Sequence, residues 1–534
     1  VNAPLRRAGV VVLVLFALLF VNLNWVQVYK ADEYNTYEHN GRVQISEYGR
    51  QRGNIEISGG EVVLAKSIDS PDSLKYQRTY PGLDEYVDVV GYKPVGLGTT
   101  GVEKMEDAWL SGNSNAQAAD RFLASLTGKT LGGGIVQLTL AKAVQDTAYA
   151  ELTHNKLNVP KGAVVVLDPR TGALIAAVST PSYDPTPLVS HDTAAAEAEY
   201  VRLVGNPDVT PKIGPKVPNQ PTLNRAFHQA VAPGSTMKVI TSATALTAGV
   251  RPETQLKGGD TYQPDPQAGF TMHNFSDGTC GGGANPEITM KQALTVSCNT
   301  AFARLCVEQL KSKQFGAMAQ AFGFEENERA AKDQPALFDH DPGNAMQTIT
   351  STTGKLNRDD GSEEPAVLAQ SCIGQQSVRM TPLQGALIAA TVCNGGVQMR
   401  PYLVDRELRA DRTTEDYRAK PRELRQPITG AVSADLRDMM MNVVQNGTAT
   451  AAKKVFTDAG ITTIELGGKT GTAESGGTGA GDGDHGWFIG FAMKDGVPIA
   501  AIAVLLENAG SHGSGEATRI AGEVLKTVVK DRGL

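Results

Sequence analysis

The sequence predicts a mixed α/β chain of the α+β kind, built in more than one domain and carrying an apolar N-terminal helix. Three observations carry this. At 534 residues the chain is long enough to bury a large core in more than one domain. Apolar residues recur at helical spacing after Ser235 (Met237, Ile240, Leu246) and between Thr289 and Leu310, whereas Lys469-Thr470-Gly471-Thr472-Ala473 follows a Gly-Gly pair and reads as a strand. Ala8–Val21 is continuously apolar.

Taken in order, the apolar N-terminal segment 8–28 reaches the ~20 residues a spanning helix needs only by including Asn22, Asn24 and Gln27. Arg6 and Arg7 precede it, which by the positive-inside rule places residues 1–7 in the cytoplasm. Trp25 and Tyr29 stand where an interfacial belt belongs. A cleaved signal peptide is the competing reading, but no small-x-small site follows the apolar stretch. The expectation is an uncleaved signal-anchor, hence a single-pass cell-membrane protein with everything after Tyr29 extracytoplasmic. Residues 29–158 read as a small polar pedestal domain with strands and a helix at Ile135–Leu152, and Asn155–Pro160 as a linker. Residues 159–534 form the larger domain. Within it, Thr210–Gln220 is rich in Pro and Lys and reads as an exposed loop, and the Gly-rich tract Ser475–Gly486 as a strand-to-strand loop.

Net charge is −7, with no basic stripe and no basic-aromatic interleaving, so nothing points to nucleic acid. The five cysteines, Cys280, Cys298, Cys306, Cys372 and Cys393, all lie in the larger domain, and an odd count leaves at least one free. Spacing alone does not decide their pairing. We take Cys280–Cys298 as the candidate disulfide, Cys306 as a buried apolar thiol, and Cys372 with Cys393 as a further candidate pair. No Cys-x-x-Cys and no His cluster argues for a metal, and His485 and His512 read as loop residues. No cofactor is expected.

Chemistry enters at Ser235-Thr236-Met237-Lys238, a Ser-x-x-Lys found once, after Pro233-Gly234. The punctuation makes Ser235 an N-cap-like residue at a helix start. Positions i and i+3 share a helix face, so Lys238 lies one turn behind the Ser235 hydroxyl. A serine hydroxyl needs an adjacent base to become a nucleophile, and a lysine kept dry beside another cation can be that base. Downstream come Ser297-Cys298-Asn299, in helical context, and Lys469-Thr470-Gly471-Thr472. In one cleft, Ser297 can relay a proton, Asn299 can hold a substrate amide and steady Lys238, and Lys469 adds a second positive charge that attracts a carboxylate, as do the hydroxyls of Thr470 and Thr472.

This ordered triplet is the signature of penicillin-binding proteins and serine β-lactamases, and the resemblance extends further. Gly162–Val178 resembles the opening hairpin of the transpeptidase domain. Asn224-Arg225-Ala226, Ile373-Gly374-Gln375, Met380–Gln384, Asn394-Gly395-Gly396 and Gly486–Phe491 are similar to other stretches of that domain. Gln51–Ile55, Gly98–Glu103 and Val136–Leu140 with Gln145 resemble the three N-terminal boxes of class B members, although Glu56-Ile57-Ser58-Gly59 departs from their Asp-Arg-Asn-Gly. That departure bears on packing rather than chemistry. The nearest group is the actinobacterial penicillin-binding protein A group, and no Glu-Asp-x-x-Phe glycosyltransferase motif is present.

The resemblance implies a penicillin-binding/β-lactamase-like domain with a central five-stranded antiparallel sheet flanked by helices. It implies a serine D,D-transpeptidase that takes a peptidoglycan stem ending in D-Ala-D-Ala as donor, forms an acyl-enzyme at Ser235 and is trapped there by β-lactams. The backbone N–H groups of Ser235 and Thr472 are the expected oxyanion hole. Cell-division or elongation proteins are the partners such an enzyme has. A D,D-carboxypeptidase uses the same motifs with water as acceptor. A β-lactamase needs a water-activating base, and no Glu-x-x-Leu-Asn follows Asn299. A non-catalytic scaffold has no need of Lys238.

Overall fold

The computed structural model describes all residues except 1, 31–47, 129–131, 206–218, 268, 275–279, 282–285, 326–337, 339, 341–347 and 475–482. Most of the Thr210–Gln220 and Ser475–Gly486 tracts therefore lies outside the described residues.

The first described element is the helix Asn2–Asn24, continued by a wider turn at Trp25–Tyr29. Within it, Arg6–Gln27 spans 22 residues at a mean hydropathy of 2.4, none of it buried against the protein. At 1.5 Å per residue that is about 33 Å, long enough to cross a hydrocarbon core. The rings of Trp25 and Tyr29 stack at its end, with centroids 4.3 Å apart.

The N-terminal domain is organised by a six-stranded sheet in the order Glu415–Arg418, Val404–Leu408, Ile135–Leu138, Ile55–Ile57, Val63–Asp69, Tyr76–Thr79. Two of these strands come from beyond residue 400, so a hairpin of the larger domain returns to complete the sheet. The residues that depart from the class B pattern meet this hairpin. Buried Glu56 accepts two hydrogen bonds from Arg412 at 2.9 Å, and Ser58 donates to Asp405. The expected helix at Ile135–Leu152 is a strand, Ile135–Leu138, followed by a helix, Lys142–Thr153. The first four residues extend because they pair on both sides, parallel to Ile55–Ile57 and antiparallel to Val404–Leu408.

The three N-terminal boxes have distinct physical roles. Arg52 of the first meets Glu103 of the second at 2.6 Å, and Arg78 meets the other carboxylate oxygen at 2.6 Å. Burial pushes the Glu103 carboxyl up, but Arg78 and Arg52 more than offset this and hold it below the usual carboxylate range. Gln145 of the third box exchanges two 3.0 Å hydrogen bonds with the main chain of Ala177, tying its helix to the larger domain. The expected linker is likewise ordered. Buried Asn155 bonds the main chain of Leu152, Leu157 and Val159.

The larger domain holds the expected five-stranded antiparallel sheet, in the order Glu465–Ala473, His485–Lys494, Val497–Leu506, Gly162–Leu167, Leu174–Thr180. Every residue from His485 to Met493 is buried, so both faces are covered. Helix Gly513–Asp531 packs with Lys142–Thr153, and the wholly buried Pro382–Cys393 with Gly430–Asn446. His485 is thus a buried strand residue rather than a loop residue. Its Nδ1 accepts from the Asn508 N–H at 3.2 Å, and burial lowers its pKa to about 4.

Candidate active site

Ser235 stands in a tight 3-10 turn, Gly234–Met237, and the α-helix Lys238–Thr247 begins only after it. Ser235 therefore does not act as the N-cap. Thr236 closes the turn instead, its hydroxyl donating to the Pro233 carbonyl at 2.8 Å. The turn is pressed against the sheet. Gly234 has φ +53°, and a Cβ there would lie 2.3 Å from the Thr472 carbonyl oxygen, so only glycine permits this approach. The Trp487 indole fixes the approach to the turn by donating to the Ala232 carbonyl at 2.9 Å. Met237, Ile240 and Leu246 are buried as expected, but so is the whole of Lys238–Leu246, which makes this a central helix rather than a one-sided one.

The helix expected over Thr289–Leu310 is interrupted at the motif. Met290–Thr295 ends, Ser297 takes φ +61°, and a new helix starts at Asn299. A serine in the left-handed region is held there by its surroundings. Asn274 Oδ1 accepts the N–H groups of Asn299 and Thr300 at 2.9 and 3.1 Å, and the Ser297 carbonyl accepts from Lys238 at 2.7 Å. The break brings the motif onto Lys238. Its Nζ lies 2.9 Å from Ser235 Oγ, 3.2 Å from Ser297 Oγ and 2.6 Å from Asn299 Oδ1. The Asn299 amide donates in turn to the His273 carbonyl at 2.9 Å.

Lys469 reaches the same hydroxyl from the sheet. Its Nζ is 2.9 Å from Ser297 Oγ and donates to the Thr470 carbonyl at 2.9 Å. Ser297 Oγ thus sits between two lysines. Both are fully buried, and among the described residues no carboxylate charge acts on either. Burial, and then the charge of Lys469, holds Lys238 well below the ordinary lysine value. Burial alone lowers Lys469 to about 7. A cationic pair in a dry site favours loss of a proton from one amine, which is what a base needs.

Thr470 and Thr472 flank Gly471, whose missing Cβ would lie 2.5 Å from the Pro233 carbonyl oxygen. Ser235, Ser297, Asn299, Thr470 and Thr472 line one open cleft of about 850 Å³, with Glu474 and Asp484 among its other lining residues. Cys280 and Cys298 line it too and are disulfide-bonded, Cα atoms 5.9 Å apart. The remaining cysteines differ from expectation. Cys306 bonds Cys372, Cα atoms 6.5 Å apart, and Cys393 is the buried free thiol. Cys306 faces the helix Pro365–Ser371, a tertiary contact that no spacing rule reveals.

Sequence reasoning assigned no site role to four residues that support the site. Thr448 bonds the Thr470 hydroxyl at 2.6 Å, and Ser514 the Thr472 hydroxyl at 3.2 Å. Asn274 orients Asn299, as above. Gln375 reaches the Thr472 carbonyl at 3.5 Å. Thr448 carried a local signal in the turn-forming Asn446-Gly447 before it, and Gln375 stood in the Ile373-Gly374-Gln375 stretch without a role assigned to it.

The comparisons with known proteins agree with this geometry. Residues 162–528 match the penicillin binding protein transpeptidase domain family, and residues 52–136 match the penicillin binding protein A dimerisation domain family. The chain is 36% identical over 529 residues to the peptidoglycan D,D-transpeptidase PbpA of Mycolicibacterium smegmatis, covering 99% of this chain and 98% of that protein. It is 33% identical to PbpA of Mycobacterium tuberculosis over 534 residues, covering 99% of this chain and 98% of that protein. Among solved structures, the ceftriaxone acyl-enzyme complex of penicillin-binding protein A from M. tuberculosis superposes with a TM-score of 0.78 at 31% identity. That match covers 91% of this chain and all of the other. The penicillin G acyl-enzyme complex of the same protein gives 0.75 at 31% identity, with the same coverage.

Proposed function

This chain belongs to the penicillin-binding protein transpeptidase family and is a serine-type peptidoglycan D,D-transpeptidase, and on that premise we propose how its residues divide the work. The carrying observation is the Ser297 hydroxyl held between Lys238 and Lys469 at 3.2 and 2.9 Å, with no carboxylate among the described residues to neutralise either amine. Uncharged, Lys238 takes the proton of Ser235, whose Oγ is 2.9 Å away. Ser235 then attacks the carbonyl of the penultimate D-Ala of a donor stem. The N–H groups of Ser235 and Thr472 receive the developing oxyanion, a contribution worth about 2.7–4 kcal/mol per donor in comparable sites. Ser297 passes the proton from Lys238 to the departing D-Ala amine. Lys469, Thr470 and Thr472 hold the free carboxylate of the donor, and Asn299 holds its amide. Attack by the amine of a second stem on the acyl-enzyme completes the cross-link.

The helix over Arg6–Gln27 supports a single-pass membrane anchor, with residues 1–7 cytoplasmic and the catalytic domain facing the wall. We place the domain boundary at residues 158/159, with the hairpin around 404–418 crossing back. The Cys280–Cys298 bridge holds the loop beside Ser297. β-Lactams acylate Ser235, as the acyl-enzyme complexes of the M. tuberculosis relative support by likeness. The enzyme serves cell growth or division together with proteins of that machinery.

Intact-mass measurement after penicillin treatment, with peptide mapping, tests this. One adduct is expected, on the Ser235 peptide, and none on Ser235→Ala. Equal labelling of Ser235→Ala rejects the nucleophile. A donor stem analogue incubated with an amine acceptor is expected to give cross-linked product, and hydrolysis alone at saturating acceptor rejects the transpeptidase in favour of a carboxypeptidase.

A further inference from the structure

Away from the cleft, three residues distant in sequence converge. His340 Nε2 lies 3.1 Å from Glu407 Oε1 and 3.3 Å from Glu106 Oε1, and the three atoms fall within 4.8 Å of one another. Glu106 immediately precedes the short helix Asp107–Leu110 in the N-terminal domain, with its side chain 2% exposed. Glu407 lies on Val404–Leu408, the strand that returns from the larger domain. The His340 ring stacks on Tyr417 of the next strand, centroids 3.9 Å apart.

The polar groups do not balance. One imidazole Nε2–H can satisfy one carboxylate oxygen, and two face it. Glu106 Oε1 is buried and, although 3.3 Å from His340 Nε2, has no well-aligned hydrogen bond to it. Leaving a buried acceptor unpaired costs about 1–3 kcal/mol, more when it is charged. The same three atoms suit a cation at their centre. In a tetrahedral zinc site with bonds of about 2.0–2.1 Å, neighbouring ligand atoms stand about 3.3 Å apart, and the separations of His340 Nε2 from Glu407 and Glu106, 3.1 and 3.3 Å, match that edge.

We propose that Glu106, His340 and Glu407 bind one zinc ion, with water as the fourth ligand. The donor set selects the metal. One imidazole and two carboxylates suit a borderline ion, there is no thiolate for a soft one, and three protein donors are too few for calcium, which takes six to eight oxygens. The ion joins His340 and the returning hairpin to the N-terminal domain, a structural role outside the cleft that Ser235 lines. The sequence shows no metal motif because the ligands come from three separate segments.

The test uses the full chain in detergent, free of any affinity tag, stripped with chelator and desalted. Zn²⁺ alone is titrated calorimetrically, with metal analysis of the product, and Co²⁺ serves as the spectroscopic probe. One equivalent of Zn²⁺ is expected for the wild type, with tetrahedral Co²⁺ absorption bands. His340→Ala and Glu407→Gln are expected to weaken binding at least roughly tenfold and to lose the bands. Penicillin acylation of both variants is expected to stay at the wild-type rate, which also reports that they fold. A wild type that retains no zinc overturns the proposal. So does a His340→Ala protein that binds zinc as tightly as the wild type.

Discussion

The molecule buries charge in two places by opposite means. In the N-terminal domain, Glu103 lies between Arg52 and Arg78, and every charge has a counter-charge at 2.6 Å. In the cleft, Lys238 and Lys469 are just as deeply buried, but among the described residues their hydrogen-bond partners are hydroxyls, carbonyls and an amide. Electrostatics then moves the groups in different directions. Glu103 is held more firmly ionised, whereas both lysines are pushed toward neutrality. A paired cluster fixes architecture, because its protonation states do not change near neutral pH. An unpaired one is unfavourable to the fold, and its lysines are free to exchange protons. With the roles proposed above, this is how one chain would separate a structural charge from a catalytic one.

Crossing the two clusters by mutation gives the largest effects. Lys238→Met is expected to lower the penicillin acylation rate constant by about 10²–10⁴-fold, the usual contribution of a positioned base, while leaving the urea midpoint unchanged or raised. Glu103→Ala is expected to do the reverse. It removes the carboxylate from buried Arg78 and leaves Arg52 to its other ion pair, with Asp107 at 2.8 Å, costing about 3–5 kcal/mol of stability, with the acylation rate of the folded fraction unchanged. Urea denaturation and acylation kinetics on both variants decide it. If Glu103→Ala slows acylation of native protein as much as Lys238→Met does, the division of labour is wrong.

Much of the cleft was legible because its parts are local. A Ser-x-x-Lys places a base one helical turn from a hydroxyl whatever the tertiary fold. The Gly-Gly before Lys469 and the apolar run Trp487–Phe491 mark two neighbouring strands, and their resemblance to known domains supplied the five-stranded sheet. What escaped depends on partners far away in sequence. Ser297 carries no signal for a left-handed backbone, and the hydrogen bonds of Asn274 and Lys238 impose it. Ile135–Leu138 reads as helix alone and becomes strand because residues from beyond 400 pair with it. The Cys306–Cys372 bond and the Glu106–His340–Glu407 cluster follow from helix and hairpin placement, which periodicity does not encode.

The second effect is a pH dependence of intermediate size. Lys469 titrates near 7 in the folded chain, against about 10.4 when unfolded. Between these values the unfolded state binds more protons, so stability rises with pH. The contribution is fully present above the unfolded value and is lost as pH falls toward 7. Lys469→Met removes this dependence. Its thermal midpoint is expected to exceed that of the wild type most at pH 7 and to converge with it toward pH 10. Because the charge of Lys469 is also one cause of the low Lys238 value, the acylation pH profile of this variant is expected to move to higher pH. A gap in midpoint that is constant from pH 7 to 10 would mean that Lys469 is ionised in the folded protein, as a paired cation would be.

The smallest effect concerns the hydroxyl that orients the sheet side of the cleft. Thr448 lines the cleft and meets Thr470 at 2.6 Å from the turn after Gly430–Asn446, so its hydroxyl supports that of Thr470. Thr448→Val keeps the shape and removes one neutral hydrogen bond, worth about 0.5–1.5 kcal/mol. The expected result is an acylation rate lowered by roughly threefold to tenfold, with the pH profile unmoved, since neither lysine changes its surroundings. Thr448→Ser, which restores the hydroxyl, is expected to recover most of the rate. A shifted pH profile, or no recovery in Thr448→Ser, would mean that Thr448 contributes by packing, and the polar support of Thr470 would then come from elsewhere in the cleft.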